Sequence, residues 1–231
     1  MSRYNKKQNG YKKGKTKGFI TGAVSVLAIT LLVGGLGALT KGFQDWSFDF
    51  GTQEVVDERE NLKVIDLETT ENTSTSLNST KLLSYLNEGL GTGIDPIFSD
   101  IAYVEEDVEG EITKVYQVQS VYKGEGGMKF GTSSALGSFT ADLVEDYSFN
   151  CAKIIGRNYS TKGTNDVYSC DKSSVVVNGA EAQVFGTNEE DTSKIAPLEE
   201  KTFKFEDMQD QLSISVLGKR AVIYTIELWT E

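Results

Sequence analysis

The chain contains one long apolar run, from Phe19 to Leu39, that carries no charge and no proline. A helix over residues 18–40 would be roughly 34 Å long at about 1.5 Å per residue, which exceeds the roughly 30 Å hydrocarbon core of a bilayer. The run therefore predicts a transmembrane α-helix over residues 18–40, with the lipid bilayer as its partner.

Charge predicts the orientation of this helix. Residues 1–17 contain seven Lys and Arg residues and no acidic residue, and basic flanks tend to remain in the cytoplasm. We therefore expect a single-pass protein of the cell membrane with a cytoplasmic N-terminus and an extracellular C-terminal domain. A cleaved signal peptide remains the alternative, although its apolar part would normally be only about 7–15 residues long.

The part of the chain beyond residue 40 is strongly acidic. It contains 16 Lys and Arg residues and 34 Asp and Glu residues, so its net charge is −18. Such a surface repels phosphate backbones, and we expect no nucleic acid partner.

Composition divides the chain into four regions. A basic cytoplasmic tail (1–17) and the transmembrane helix are followed by an acidic, Ser/Thr-rich segment, 41–80. This segment has few large apolar residues to offset its ordering entropy, so we predict an extended stalk in which Asn61–Leu67 could form one strand. Residues 81–231 are predicted to be a globular domain with a short leading helix, Lys81–Leu90.

Apolar and polar residues alternate along several segments of this domain, which is typical of strands with one face in a core and the other in water. The fold class is therefore predicted to be mainly β, an antiparallel, jelly-roll-like β-sandwich. About nine strands are expected, at Thr113–Tyr122, Met128–Thr132, Ser138–Leu143, Ser148–Ile155, Asp166–Cys170 with Val175–Val177, Ala182–Phe185, Thr202–Glu206, Leu212–Val216 and Val222–Trp229.

Two dipeptides between apolar segments predict tight hairpins. Asn178-Gly179 favours a turn in which both central residues take positive φ. Gly218-Lys219 has glycine first, which suits a type II′ turn between the last two strands.

Several segments resemble a known domain family. These are Met128–Ser134 with Gly137–Thr140, then Val177–Gly179, and then Gly218–Ile226. Their order and spacing resemble a β-sandwich domain of exported proteins from Gram-positive bacteria, which is similar in fold to jelly-roll carbohydrate-binding modules. The resemblance covers roughly residues 110–231. It implies a sandwich fold and assigns no binding residue.

The chain has no histidine, which excludes Ser-His-Asp and Cys-His catalytic sites and every His-ligated metal centre. Acidic residues are plentiful, but no pair stands out as the two carboxylates of a glycosidase. We expect no cofactor, with calcium bound by acidic loops left open. No catalytic residue is predicted.

Aromatic residues supply the candidate ligand-binding positions. Tyr159 and Tyr168 flank a polar loop, and Trp229 has the parity to face outward from the last strand; each could stack on a sugar ring. The alternative is that the tyrosines cover sheet edges and Trp229 packs against the leading helix. Cys151 and Cys170 could form a disulfide on the exported side or remain two free thiols.

The functional expectation is therefore a membrane-anchored, non-catalytic binding module at the cell surface, recognising a cell-wall or host glycan. Two alternatives remain: a structural subunit of a membrane-associated assembly, with a protein ligand, and an exported hydrolase that uses two carboxylates.

Overall fold

The computed structural model describes residues 59–71, 73–108 and 111–231. The predicted cytoplasmic tail, the predicted transmembrane helix and the first part of the predicted stalk lie outside these residues. Within the described ranges, no helix has the length and apolar character needed to cross a membrane.

The described residues form one α-helix, one turn of 3₁₀ helix (Thr164–Asp166) and seventeen strands, many of them very short. The helix is α1 (Ser79–Glu88), and the strands are β1 (Glu60–Asp66), β2 (Thr75–Ser76), β3 (Phe98–Ile101), β4 (Tyr103–Val108), β5 (Glu111–Tyr116), β6 (Val118–Gln119), β7 (Val121–Gly124), β8 (Gly127–Phe130), β9 (Gly137–Leu143), β10 (Phe149–Asn158), β11 (Ser160–Lys162), β12 (Tyr168–Cys170), β13 (Ser174–Val177), β14 (Gln183–Val184), β15 (Glu199–Gln209), β16 (Gln211–Leu217) and β17 (Ala221–Thr230).

Most strands belong to two antiparallel sheets. The first sheet has the order β15-β10-β17-β8-β7-β2, with β1 also paired to β17. The second sheet has the order β14-β13-β16-β9-β3, with β6 also paired to β9. Strands β4 and β5 form a separate hairpin, and so do β11 and β12. The predicted mainly-β, antiparallel class is confirmed, and the arrangement is consistent with a β-sandwich.

Side chains from both sheets form one buried core. Phe130 from β8 and Phe139 from β9 are 0% and 1% exposed, and their ring centroids lie 5.9 Å apart. The period-two alternation explains this core, because inward residues such as Ala141 and Ile214 are fully buried while their neighbours face outward.

The structure differs from the stalk prediction over the described part of residues 41–80. Strand β1 pairs with β17, and β2 pairs with β7. Ile65 and Leu67 are fully buried, and the Leu67 N–H donates to the carbonyl of Tyr224 at 2.8 Å. The strand left open at Asn61–Leu67 is therefore present as β1. A few apolar side chains are enough to order this segment because β17 offers unpaired backbone groups with which β1 forms hydrogen bonds.

Helix α1 begins two residues before its predicted start. The side chain of Asn78 accepts a hydrogen bond from the backbone N–H of Lys81 at 3.0 Å, which caps the first turn. The helix stops before Gly89, where a Cβ would lie 2.6 Å from the carbonyl oxygen of Asp66. Glycine therefore lets the end of the helix approach β1.

The Asn178-Gly179 hairpin is confirmed. Both residues have positive φ, 46° and 73°, and the N–H of Ala180 donates to the carbonyl of Val177 at 2.9 Å. Strands β13 and β14 pair on either side of this turn.

The hairpin predicted at Gly218-Lys219 is wrong. The two flanking strands, β16 and β17, belong to different sheets. Gly218 does have positive φ (84°), and a Cβ there would lie 2.7 Å from the carbonyl oxygen of Lys172. Glycine therefore allows the tight turn at which the chain passes from one sheet to the other.

Tyr147 gives the fold a testable response to alkaline pH. Its hydroxyl donates to the backbone carbonyls of Asn61 and Leu228 at 3.3 and 3.2 Å, and burial raises its pKa above the ordinary value of 10.0. Above about pH 10 the unfolded chain releases this proton while the folded chain keeps it, so stability falls as pH rises. We expect Tyr147→Phe to lose less stability than the wild type between about pH 9 and 11. Urea unfolding across this range measures the difference, and identical pH profiles would contradict the expectation.

Candidate functional site

A groove of about 460 Å³ lies on the outer side of the second sheet, where β6, β9 and β16 run side by side. Its volume falls within the range of about 300–1,000 Å³ that is typical of small-molecule sites. The lining residues are Tyr116, Gln117, Val118, Gln119, Ser138, Phe139, Thr140, Ser213 and Ser215.

Strand register builds the floor of this groove. Ser138 on β9 lies opposite both Ser215 on β16 and Gln119 on β6. One step along, Thr140 lies opposite Ser213. Because all these positions share the outward parity, two rows of hydroxyl and amide side chains lie next to each other on one face.

The groove carries many hydrogen-bonding groups and no charge. None of its lining residues is acidic or basic. The hydroxyl of Thr140 donates to that of Ser213 at 3.1 Å, and hydroxyls can both donate and accept. These groups match the hydroxyls of a neutral sugar better than they match an ion.

An aromatic ring stands at one end of the groove. Tyr116 is the last residue of β5, at the open end of the β4–β5 hairpin, and is 36% exposed. Its ring meets that of Tyr103 edge to face, with centroids 5.6 Å apart, and the ammonium of Lys114 lies 3.9 Å from the centroid of Tyr103. The Tyr116 ring is thus held in place by its neighbour while it remains accessible to a ligand.

The structure does not bring the three predicted ligand-binding residues together, and none of them lines the groove. Trp229 is only 5% exposed, which contradicts its predicted outward exposure. It lies between β10 and β1, and the guanidinium carbon of Arg59 is 5.7 Å from its ring centroid. The parity was correct, but these neighbours cover the outward face at this position.

The two tyrosines occupy separate places. Tyr168 is half-buried in β12, and its backbone N–H donates to the carbonyl of Thr192 at 2.7 Å. Tyr159 is half-buried just after β10, and its hydroxyl donates to the carboxylate of Glu125 at 3.2 Å. Burial and the charge of Glu125 raise the pKa of Tyr159.

The disulfide left open by the sequence is not formed, and both cysteines are free thiols. Cys151 lies near the start of β10, whereas Cys170 pairs with Ser160, nine residues further along. At roughly 3.3 Å per residue, the part of β10 that follows Cys151 is already about 23 Å long, so the two thiols lie beyond the reach of a disulfide. Burial raises the pKa of both thiols.

Calcium binding stays a prediction. In the three described ranges, no group of three or more Cys, Asp or Glu side chains is placed so that it could hold a metal ion.

Part of the groove could have been found from the sequence. The same alternation that predicted strands at Ser138–Leu143 and Leu212–Val216 also assigned Ser138, Thr140 and Ser213 to one outward face. What the alternation could not show is that β9 and β16 are neighbours, which makes the two polar rows one surface.

No family model matches this chain, and no curated protein matches it. Among solved structures, one match is titled "Crystal structure of Agl-KA catalytic domain". It is 10% identical to this chain, with a TM-score of 0.28, and the match covers 45% of this chain and 21% of that one. A TM-score this low does not indicate a shared fold.

Proposed function

We propose that this protein is a membrane-anchored, non-catalytic binding module of the cell surface, and that the groove on the second sheet binds a neutral glycan. The observation that carries the proposal is the uncharged groove of about 460 Å³ with Tyr116 at its end.

The proposed binding mode uses two kinds of contact. Ser138, Thr140 and Ser215 would exchange hydrogen bonds with sugar hydroxyls, and Tyr116 would cover the apolar face of one sugar ring. The strands hold the floor groups in place before the ligand arrives, which lowers the ordering cost of binding.

The proposed anchor is the apolar segment 18–40, with the acidic part of the chain outside the cell. Anchoring confines the module to the surface, which raises its effective concentration near glycan on the same or a facing surface without any new contact.

Retention by neutral polysaccharides tests this proposal. The full chain, held in a polyoxyethylene detergent that contains no sugar, would be run on affinity gels with a glucan, a mannan, a galactan or a xylan. We expect one of these polymers to retard it. Ser215→Tyr, which fills the groove, should abolish the retardation. Tyr116→Ala should weaken binding about fivefold, because loss of the ring contact costs about 1 kcal/mol.

Matched variants make the result specific. Ser169→Tyr places the same bulk on an exposed position of β12, and Tyr168→Ala removes a half-buried tyrosine outside the groove; both should bind like the wild type. Retardation by none of the polymers, or equal retardation of wild type and Ser215→Tyr, would contradict the proposal.

One observation favours a second candidate, a subunit of a membrane-associated assembly. The β4–β5 hairpin exposes three apolar side chains, with Val104 46%, Ile112 71% and Val115 40% exposed. Apolar groups exposed on a free-standing hairpin suit a protein contact. This candidate would become the leading one if the chain bound no polysaccharide.

A further inference from the structure

The outer side of the first sheet carries a second group of side chains that differs in chemistry from the groove. Here positive charges and aromatic rings alternate across the strands. This cation–tyrosine face consists of Tyr122, Lys129, Arg157, Tyr159, Arg220 and Tyr224.

Strand register places these residues on one face. Tyr122 on β7 lies opposite Lys129 on β8, Lys129 lies opposite Val222 on β17, and Val222 lies opposite Arg157 on β10. Val222 is only 2% exposed although it points away from the core cluster. The long side chains around it therefore form a layer over the sheet.

Each cation of this face lies against a ring. The ammonium of Lys129 is 5.0 Å from the ring centroid of Tyr122 and 5.4 Å from that of Tyr159. The guanidinium carbon of Arg220 is 4.3 Å from the centroid of Tyr159, and that of Arg157 is 5.2 Å from the centroid of Tyr224. These contacts hold the cations over the sheet.

Among the described residues, only one of these three cations has an ion-pair partner within 4.0 Å. Arg220 donates from Nε to the carboxylate of Asp171 at 2.6 Å. By contrast, in the described part of the chain no carboxylate oxygen lies within 4.0 Å of the side-chain nitrogens of Lys129 or Arg157. Lys153, on the same strand as Arg157, contacts the carboxylates of both Glu227 and Glu200, at 3.0 and 3.6 Å.

The two cations without an ion-pair partner stand out because the chain beyond residue 40 is strongly acidic, with a net charge of −18. Lys129 is half-buried, and burial lowers its pKa; Glu125 opposes this effect and Arg220 adds to it. Nearby, burial raises the pKa of Tyr224, and the neighbouring Arg157 guanidinium opposes this effect. A bound anion would add to the partial compensation that Glu125 gives Lys129.

We propose that the cation–tyrosine face binds an anionic sugar unit, whose carboxylate or phosphate group is held by Lys129 and Arg157. The backbones of the two cationic residues are two strand spacings apart, about 10 Å, which their long side chains can close around one acid group. This site is separate from the groove and does not depend on the groove's ligand.

The simpler explanation is that the aliphatic parts of the Lys and Arg side chains only cover Val222, as such side chains often do.

Two matched pairs of polymers distinguish the two explanations: polygalacturonate with its methyl ester, and phosphorylated dextran with plain dextran. The full chain in polyoxyethylene detergent at low salt would be titrated with each polymer by calorimetry. We expect an anionic member to bind more tightly than its neutral partner. The pair that shows the difference identifies the acid group as carboxylate or phosphate.

Variants locate the site. Lys129→Gln with Arg157→Gln should reduce anion affinity about tenfold or more, since each lost charge-assisted contact matters at low salt. Lys12→Gln with Lys13→Gln removes the same charge from the basic tail and should leave the affinity unchanged. The proposal is overturned if the anionic and neutral polymers bind equally, if none binds, or if the tail variant rather than the face variant loses affinity.

Discussion

Replacement of Asn158 by leucine should destabilise the folded domain by about 4 kcal/mol, because the buried amide joins three separate backbone segments. Asn158 is 0% exposed. Its Nδ2 donates to the carbonyls of Phe185 and Gly186 at 2.9 and 2.8 Å, and its Oδ1 accepts from the backbone N–H of Ser173 at 2.8 Å. Leucine fills a similar volume but leaves these groups without partners in a site that excludes water.

Urea unfolding followed by tryptophan fluorescence measures this loss. Asn150 on the same strand supplies the control, because its amide makes two backbone hydrogen bonds, donating to the carbonyl of Glu231 at 3.2 Å and accepting from the Glu231 N–H at 2.9 Å. Both of these bonds are exposed, so water can replace them and Asn150→Leu should cost about 1 kcal/mol or less. Equal effects of the two substitutions would contradict the role given to Asn158.

The second large effect is expected at Phe130, where the two sheets meet. Its side chain is 0% exposed and contacts Phe139 of the opposite sheet, with ring centroids 5.9 Å apart. Phe130→Ala removes this contact and leaves a cavity, so we expect a loss of about 3–5 kcal/mol in the free energy of unfolding. Phe130→Leu keeps most of the volume and should cost about 1.5 kcal/mol or less.

The same unfolding measurement tests this prediction, with Leu198→Ala as the matched control. Leu198 is 59% exposed, so its truncation should change stability by about 0.5 kcal/mol or less. A small effect of Phe130→Ala would mean that the two sheets do not share the core described above.

Local patterns predicted the elements well where a single physical rule decides the outcome. Asn178-Gly179 forms its turn because both residues tolerate positive φ. Alternation along β9 and β16 placed their residues on the correct faces because the side-chain period of a strand is fixed. Helix α1 was found from its apolar spacing, although the cap at Asn78 set its true start.

Predictions that depended on which strands and side chains pack together were less successful. Gly218-Lys219 has the composition of a hairpin turn, yet it joins two sheets. The segment that contains Ile65 was predicted to belong to an extended stalk with one strand left open, and pairing with β17 buries it. Trp229 has outward parity, but the strands beside it and Arg59 cover it. In each case the outcome depends on residues distant in the sequence.

The sequence by itself determined the antiparallel, mainly-β character of the domain and the outward parity of the groove hydroxyls, because period and turn chemistry act between residues close in the chain. Only the tertiary structure decided which strands are neighbours. That choice brought Ser138 and Ser215 into one uncharged groove, placed Lys129 and Arg157 on one face, and kept Cys151 far from Cys170. Strand neighbours are selected by the total apolar area that the core buries, and this area depends on all of the strands together.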